Sequence, residues 1–315
     1  MSEMRAVVVD PNSPGRLSPG KAEEPSPVPT EALIRISAIS LNRGEVRRAE
    51  NAEPGFRPGW DLAGTVERPA EDGSGPPEGS RVVGFLPSGA WAELAAVPTD
   101  SLAVLPEGVS FAQAATLPVA GLTALYALEK GGNLLGRSAL ITGASGGAGL
   151  FGVQLARLCG AKVVAVVRRE EHVELLRDAG AHEVVVSEDA SAAAEYGPYR
   201  VIMESVGGVV LGNSLSMLDT GGTCVTFGVS AAPETTFDIR NFFLMGGASL
   251  YGFILFHEVL EKPASAGLDR LARLVGDGSL RPHISLEESW TKIGDVAGRL
   301  MERSFTGKAV LHVDI

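Results

Sequence analysis

At 315 residues, 45% of them hydrophobic, 39 of them glycine and with a formal net charge of −11, the chain is long enough for two domains with substantial cores, and its acidity argues against nucleic acid and anionic membranes as partners. Its two cysteines, Cys159 and Cys224, have no C-x-x-C partner and so make neither a disulfide framework nor a cysteine-rich metal site; both read as small core residues of an intracellular protein. With no apolar run of about 18 residues and no secretory core in Met1–Val9, the expectation is a cytoplasmic protein that does not enter the membrane.

In chain order, Met4–Val9 is a short strand closed by the turn-forming Asp10-Pro11-Asn12-Ser13-Pro14-Gly15. Pro25, Pro27 and Pro29 hold Lys21–Thr30 extended. Ala32–Ala38 reads as a strand, Asn42–Glu50 as a short charged helix or turn, and Trp60–Val66, Arg81–Phe85 and Ala90–Val97 as further short strands. The acidic, Gly/Pro-rich Glu71–Glu78 is a surface loop. Short strands separated by turn signals predict a β-rich, barrel-like first domain of about a hundred residues.

Beyond Phe111 the pattern changes. Gln113–Glu129 has a helical period that Pro118 and Gly121 must bend or interrupt. Ser138–Arg169 then gives the strand Ser138–Thr142, a glycine-crowded turn, the helix Leu150–Leu158 and the apolar strand Lys162–Val167. A pyrophosphate needs unobstructed backbone N–H donors and the positive end of a helix dipole, and Ala144, Ser145, Gly146, Gly147, Ala148 and Gly149 supply them in a motif that only approximates G-x-G-x-x-G. Helix Glu171–Asp178, strands Glu183–Val186 and Arg200–Ser205, helix Val209–Leu218 and strands Gly222–Phe227 and Ala248–Phe253 continue the alternation. That order predicts an α/β, doubly wound parallel sheet. The tail adds helices at Gly267–Val275 and Thr291–Arg303 and the strand Lys308–Val313; its return to the first domain is open on periodicity alone.

The order of motifs carries a resemblance: Leu41-Asn42, Pro58–Gly64 (PGWDLAG), EGSRVVG ending at Gly84, Leu117–Leu125 (LPVAGLTAL), the glycine loop, Gly221–Gly228 (GGTCVTFG) and Gly307–Leu311 (GKAVL). The chain resembles the medium-chain dehydrogenase/reductase superfamily, in its zinc-independent, quinone oxidoreductase-like branch. The resemblance implies a GroES-like β-barrel catalytic domain from residues 1–117 and 263–315, a Rossmann NADP-binding domain at 118–262, and a homodimer joined through Ala248–Phe253. It also implies that Asn42, Thr123, Phe227 and Gly228 lie toward the nicotinamide end of the cofactor. Arg47 stands where many relatives carry a tyrosine; it either favours an acidic substrate group or faces solvent.

Zinc-dependent members of that superfamily hold a catalytic metal through Cys, His and an acid, and such a site needs three good protein ligands. Here Asn42 and Trp60 stand at the Cys and His positions, and all five histidines are C-terminal to Cys159; no metal is expected. Where an NAD-preferring site places an acid at the end of the second strand, this chain has Arg168-Arg169, whose guanidinium groups suit a 2′-phosphate, followed by Glu170-Glu171. NADPH is the expected cofactor. With no metal to polarise a carbonyl, an intrinsically electrophilic small-molecule acceptor, a quinone or enone, is expected. An acyl-thioester enoyl reductase, using Arg43, Arg47, Arg48 and Arg57 as a basic groove, and a non-enzymatic NADPH-binding redox sensor are the alternatives. Tyr126, Thr123 and Tyr251 are candidate proton donors without an assignment among them, and Glu45 and Asp61 read as structural.

Overall fold

The computed structural model describes residues 2–313. The chain forms two compact units, Met1–Leu122 with Val259–Ile315, and Thr123–Glu258. These crossings differ by a few residues from the expected 117/118 and 262/263. Leu117–Gly121 folds as a π-helical turn that packs on a helix of the C-terminal segment, so the first unit keeps it.

The first unit begins with β1 (Glu3–Val9) and β2 (Leu17–Glu23), an antiparallel pair. It continues with β3 (Glu31–Ser40), α1 (Arg43–Glu50), β4 (Asp61–Arg68), β5 (Arg81–Phe85), β6 (Leu94–Pro98), β7 (Leu102–Val104) and α2 (Phe111–Ala115). In the second unit lie α3 (Leu122–Glu129), β8 (Ser138–Ile141), α4 (Gly147–Leu158), β9 (Lys162–Val167), α5 (Val173–Asp178), β10 (Glu183–Val186), β11 (Tyr199–Glu204), α6 (Gly208–Leu215), β12 (Leu218–Thr226), α7 (Ile239–Leu244) and β13 (Ser249–Gly252). After α8 (Leu255–Glu261), the C-terminal segment adds α9 (Ala264–Gly276), β14 (Ile284–Ser289), α10 (Ile293–Met301) and β15 (Lys308–His312).

The tail does return to the first unit. A seven-stranded sheet runs β14-β15-β3-β4-β5-β7, with β6 also on β3, and β15 lies antiparallel to β3 with Leu311 opposite Ile39. Alternation along β3 sends Ile34 and Ile36, and past an irregularity between Ile36 and Ala38 also Ile39, into a core with Leu62, Val82, Trp91, Trp290, Val296 and Leu311. Each large side chain so buried contributes roughly 1.5–3 kcal/mol, and the two chain ends are joined by that burial.

The second unit is a six-stranded parallel sheet in the order β10-β9-β8-β11-β12-β13. Its central strands are near-continuous apolar runs, as strands covered on both faces must be; Leu140, Val164, Ile202 and Cys224 are buried among them. Strand order reverses between β8 and β11, the switch point beside which doubly wound sheets bind ligands.

Several elements depart from the sequence reading. The extended reading of the early segment missed β2, because Pro19 and Gly20 break its pattern, yet it pairs along its whole length. The segment Ala90–Val97 is regular only from Leu94, since Trp91 is buried and its neighbours turn. The short helices α7 and α8 and the strand β14 lacked a strong period. Cys224 is buried, but Cys159 is exposed, against the core reading of both. It caps the C-terminus of α4, where the chain turns into solvent.

Candidate cofactor and active site

In the Thr123–Glu258 unit the glycine turn connects β8 to the twelve-residue α4. Gly143 has φ +56, and a Cβ there would lie 2.5 Å from Ser205 Oγ; only glycine meets both demands. A Cβ on Gly149 would lie 2.5 Å from Gly143 O and 2.7 Å from Ala144 O, so the helix can start this close to the strand only without a side chain. Gly146 N–H donates to Gly143 O at 3.0 Å and closes the turn. Gly146 is then exposed at the head of α4, Ser145, Gly147 and Ala148 are half-buried, and Ala144 is buried. The unpaired first-turn N–H groups of α4, next to a glycine with no side chain to obstruct them, form an anion cradle of the kind a pyrophosphate fits.

Arg168 and Arg169 follow directly on β9 and are exposed. Arg169 Nη1 pairs with Glu171 Oε1 at 3.1 Å, whereas Arg168 has no ion-pair partner among the described residues. The structure thus separates two arginines that the sequence offered as a pair.

Glu204, at the end of β11 and fully buried, was not anticipated. Its Oε1 accepts from Val206 N at 2.7 Å, Gly207 N at 3.0 Å and Thr142 Oγ1 at 3.3 Å; its Oε2 accepts from Thr226 Oγ1 at 3.4 Å. One carboxylate therefore ties the carboxyl ends of β8, β11 and β12 at the switch point. Burial raises its carboxyl above the usual range, against the bonds from Val206 and Gly207. Phe227 N donates to Glu204 O at 3.0 Å, and Ser230 N to Ser205 O at 3.2 Å, so the loop with half-buried Phe227 and Gly228 is pinned to the same strand end. A lone acid closing the apolar run Val201–Met203 was the signal for this residue.

Thr123 is 7% exposed at the start of α3. Tyr126, in the same helix, is buried at 4% and is a core residue. Tyr251 Oη donates to Glu258 Oε1 at 2.6 Å and accepts from Lys130 Nζ at 3.0 Å, with Lys130 and Glu258 themselves paired at 2.8 Å. That triad ties α3, β13 and α8 together.

In the other unit, Asn42 precedes α1 and is the centre of a buried polar cluster. Glu45 reaches back so that its Oε1 accepts from Asn42 N at 2.6 Å and from Asn42 Nδ2 at 2.9 Å, while its Oε2 accepts from Trp60 N at 2.8 Å. Asp61 Oδ2 accepts from Asn42 Nδ2 at 2.7 Å and Ser40 Oγ at 3.2 Å; Asp61 Oδ1 accepts from Val119 N at 2.9 Å. Lys308 Nζ donates to Leu41 O at 2.9 Å, Asn42 Oδ1 at 2.6 Å and Asp61 Oδ2 at 3.4 Å. Burial, and then the Asp61 charge, push the Glu45 carboxyl well above its ordinary value, with Lys308 and Asn42 opposing. Lys308, a single charge in the apolar strand Ala309–Leu311, went unread in the sequence. Asp61 and Glu45 hold this cluster together, as their structural reading expects.

Among the described residues, no three His, Cys, Asp or Glu side chains are grouped so as to hold a metal ion, and no helix is long and apolar enough to cross a membrane.

Residues 28–107 match the alcohol dehydrogenase GroES-like domain family, and residues 147–271 the family described as zinc-binding dehydrogenase. The quinone oxidoreductase of Sus scrofa is 30% identical over 314 residues, spanning 91% of this chain and 90% of its own. The solved quinone oxidoreductase of Coxiella burnetii superposes with a TM-score of 0.84 at 25% identity, covering 99% of this chain and 100% of that one. A mycobacterial protein solved in complex with NADPH superposes at 0.86, with 25% identity over 98% and 100% of the two chains. The phosphate cradle on a 3-2-1-4-5-6 sheet, the GroES-like unit and these likenesses converge: the chain belongs to the medium-chain dehydrogenase/reductase superfamily and is a nicotinamide-dependent oxidoreductase acting on a small molecule.

Proposed function

We propose that this enzyme uses NADPH to reduce quinones or α,β-unsaturated carbonyl compounds, without zinc. The observation that carries the reading is the ammonium of Lys308. Asn42, at the position where zinc-dependent members are expected to place a Cys ligand, already accepts from this tethered cation through Oδ1, as does the neighbouring Asp61 Oδ2. A second cation beside it would be repelled, and no Lewis acid is then on hand to polarise a simple carbonyl. A conjugated acceptor is electrophilic without that help. The likeness to quinone oxidoreductases supports the same acceptor class.

The bound nicotinamide supplies the hydride. The chain's own residues bind and orient: the head of α4 with residues 144–149 takes the pyrophosphate, and Arg168, exposed and without an ion-pair partner among the described residues, takes the 2′-phosphate, with Arg169 beside it. Thr123, Phe227 and Gly228 meet the nicotinamide end. The acceptor's proton comes from solvent or a hydroxyl.

A cytoplasmic homodimer joined along β13 belongs to the same proposal. β13 ends the sheet order, and Leu250, Ile254 and Phe243 around it are 43%, 53% and 63% exposed, an edge and apolar surface of the kind that pairs with a second copy. Sedimentation of the wild type and of Leu250→Lys tests it; a monomeric wild type overturns it.

The function is tested by a panel of acceptors, including 9,10-phenanthrenequinone and an enal, run with NADPH and NADH in parallel. Steady consumption of NADPH is expected. An NADH preference overturns the cofactor reading, and tight NADPH binding with no turnover across the panel overturns the reductase reading in favour of a sensor.

A further inference from the structure

We propose that Glu204 is a positioning residue for the cofactor: through the segment Ser205–Gly207 it holds the phosphate cradle and the loop of Phe227 and Gly228 in register. The role rests on the reading that residues 144–149 take the pyrophosphate and that Phe227 and Gly228 meet the nicotinamide end.

Ser205–Gly207 is a spacer packed between those two stretches. On the cradle side, Ser205 N donates to Thr142 Oγ1 at 3.2 Å and Ser205 Oγ to Thr142 O at 3.3 Å, and a Cβ on Gly143 would lie 2.5 Å from Ser205 Oγ. On the loop side, Ser230 N donates to Ser205 O at 3.2 Å and Ala231 N to Val206 O at 2.8 Å. Gly207 pairs with Ala232, and a Cβ on Gly228 would lie 3.0 Å from Ser205 O. A shift of the spacer therefore moves one stretch against the other.

The backbone of the spacer does not fix itself. It lies between β11 and α6 and belongs to neither, and Gly207 and Gly208 have φ of +76 and +54, so the turn is made by the residues that lose most freedom on ordering. The Glu204 carboxylate fixes it. Oε1 accepts from Val206 N at 2.7 Å and Gly207 N at 3.0 Å, and Oε2 from Gly207 N at 3.2 Å. Longer bonds from the Thr142 hydroxyl at 3.3 Å and the Thr226 hydroxyl at 3.4 Å aim the carboxylate from the ends of β8 and β12. A carboxylate has about four acceptor sites, and these contacts fill them. Fully buried and fully engaged, Glu204 acts only through the backbone it holds.

The bonding also separates the substitutions. Glutamine keeps an acceptor for both N–H groups and turns its NH₂ toward Thr226 Oγ1, which can accept, whereas alanine leaves both N–H groups unpaired.

The test compares wild type, Glu204→Ala and Glu204→Gln by their dissociation constants for NADPH and for 2′,5′-ADP, which lacks the nicotinamide end. Two ends held in register act as linked sites, so only the intact cofactor senses their spacing. Glu204→Ala is expected to weaken NADPH about tenfold, equivalent to about 1.4 kcal/mol, and 2′,5′-ADP by no more than about twofold. Glu204→Gln is expected to recover the wild-type affinity for NADPH. An equal fall for both ligands would make Glu204 a support of the fold alone and overturn the positioning role. Unchanged NADPH affinity in Glu204→Ala, or no recovery in Glu204→Gln, overturns it as well. A wild type that does not bind 2′,5′-ADP overturns instead the reading of residues 144–149, and the role falls with it. Should Glu204→Ala not fold, Thr142→Val, which removes the hydroxyl that Glu204 and Ser205 N share, takes its place with the same expected pattern.

Discussion

Lys308 and Asn42 stand 266 positions apart in the chain, and Lys308 Nζ donates a 2.6 Å hydrogen bond to Asn42 Oδ1. The bond exists because β15 pairs with β3, which carries Lys308 to the residues just beyond the end of β3. The start and end of the chain thereby share one buried charge cluster.

Removing one partner from that cluster should be costly. In Asp61→Ala, the Lys308 ammonium and Val119 N–H lose their carboxylate at a position closed to solvent. A loss of about 3–5 kcal/mol of unfolding free energy is expected, measured by urea denaturation. A loss within the ±0.5 kcal/mol usual for surface changes would show that the cluster is not holding the fold.

Glu204 gives a prediction with a pH sign. Glu204→Ala strands two backbone N–H groups at the strand ends, and a loss of about 1–3 kcal/mol is expected. Burial raises the Glu204 carboxyl above its unfolded value, so the folded state holds that proton to higher pH than the unfolded chain does. The associated stability is full below the unfolded value of about 4.3 and falls as pH climbs through the folded value. Glu204→Gln keeps an acceptor for both N–H groups and should flatten that fall. Thermal melts of the two proteins across pH 4 to 8 check it; identical slopes would contradict the assignment.

The two arginines after β9 should behave differently. Arg168→Ala should weaken NADPH by about ten- to a hundredfold, the worth of a charged hydrogen bond of about 1.5–3 kcal/mol, and leave NADH nearly unchanged. Arg169→Ala, whose guanidinium is shared with Glu171, should have the smaller effect. Equal losses for NADPH and NADH in Arg168→Ala would exclude a 2′-phosphate contact.

The cysteines offer a check on burial. Cys159 is exposed, whereas Cys224 is buried and its thiol is pushed up by burial and then by Glu204. A maleimide should label Cys159 on the native protein and reach Cys224 only after unfolding, because the thiolate is the reactive form. Peptide mapping reads the result, and early labelling of Cys224 would contradict the packing of β12.

The parallel sheet was legible because its strands are apolar runs and its helices have a period, from Ser138 through Val225. Gly143 and Gly149 announced the cradle because their backbone positions admit nothing else. By contrast β2, β14 and the short helices α7 and α8 were hard to read, since pairing and packing with distant residues stabilise them against weak local preference. The polar site was harder still. Asn42 stood out through its motif, but Lys308 looked like one cation in a strand and Glu204 like one acid at a strand end.

The sequence by itself determined the layer architecture, the phosphate cradle and the cationic end of β9, because periodicity and glycine spacing are local properties of the chain. The return of the tail, implied by the resemblance and left open by periodicity, took its place beside β3 only in the tertiary structure, which alone decided that Glu171 occupies Arg169 and not Arg168 and that Asn42 is surrounded by Glu45, Asp61 and Lys308. Those are contacts between charges and strands remote in sequence, and only the folded chain sets their distances and the low dielectric in which they act.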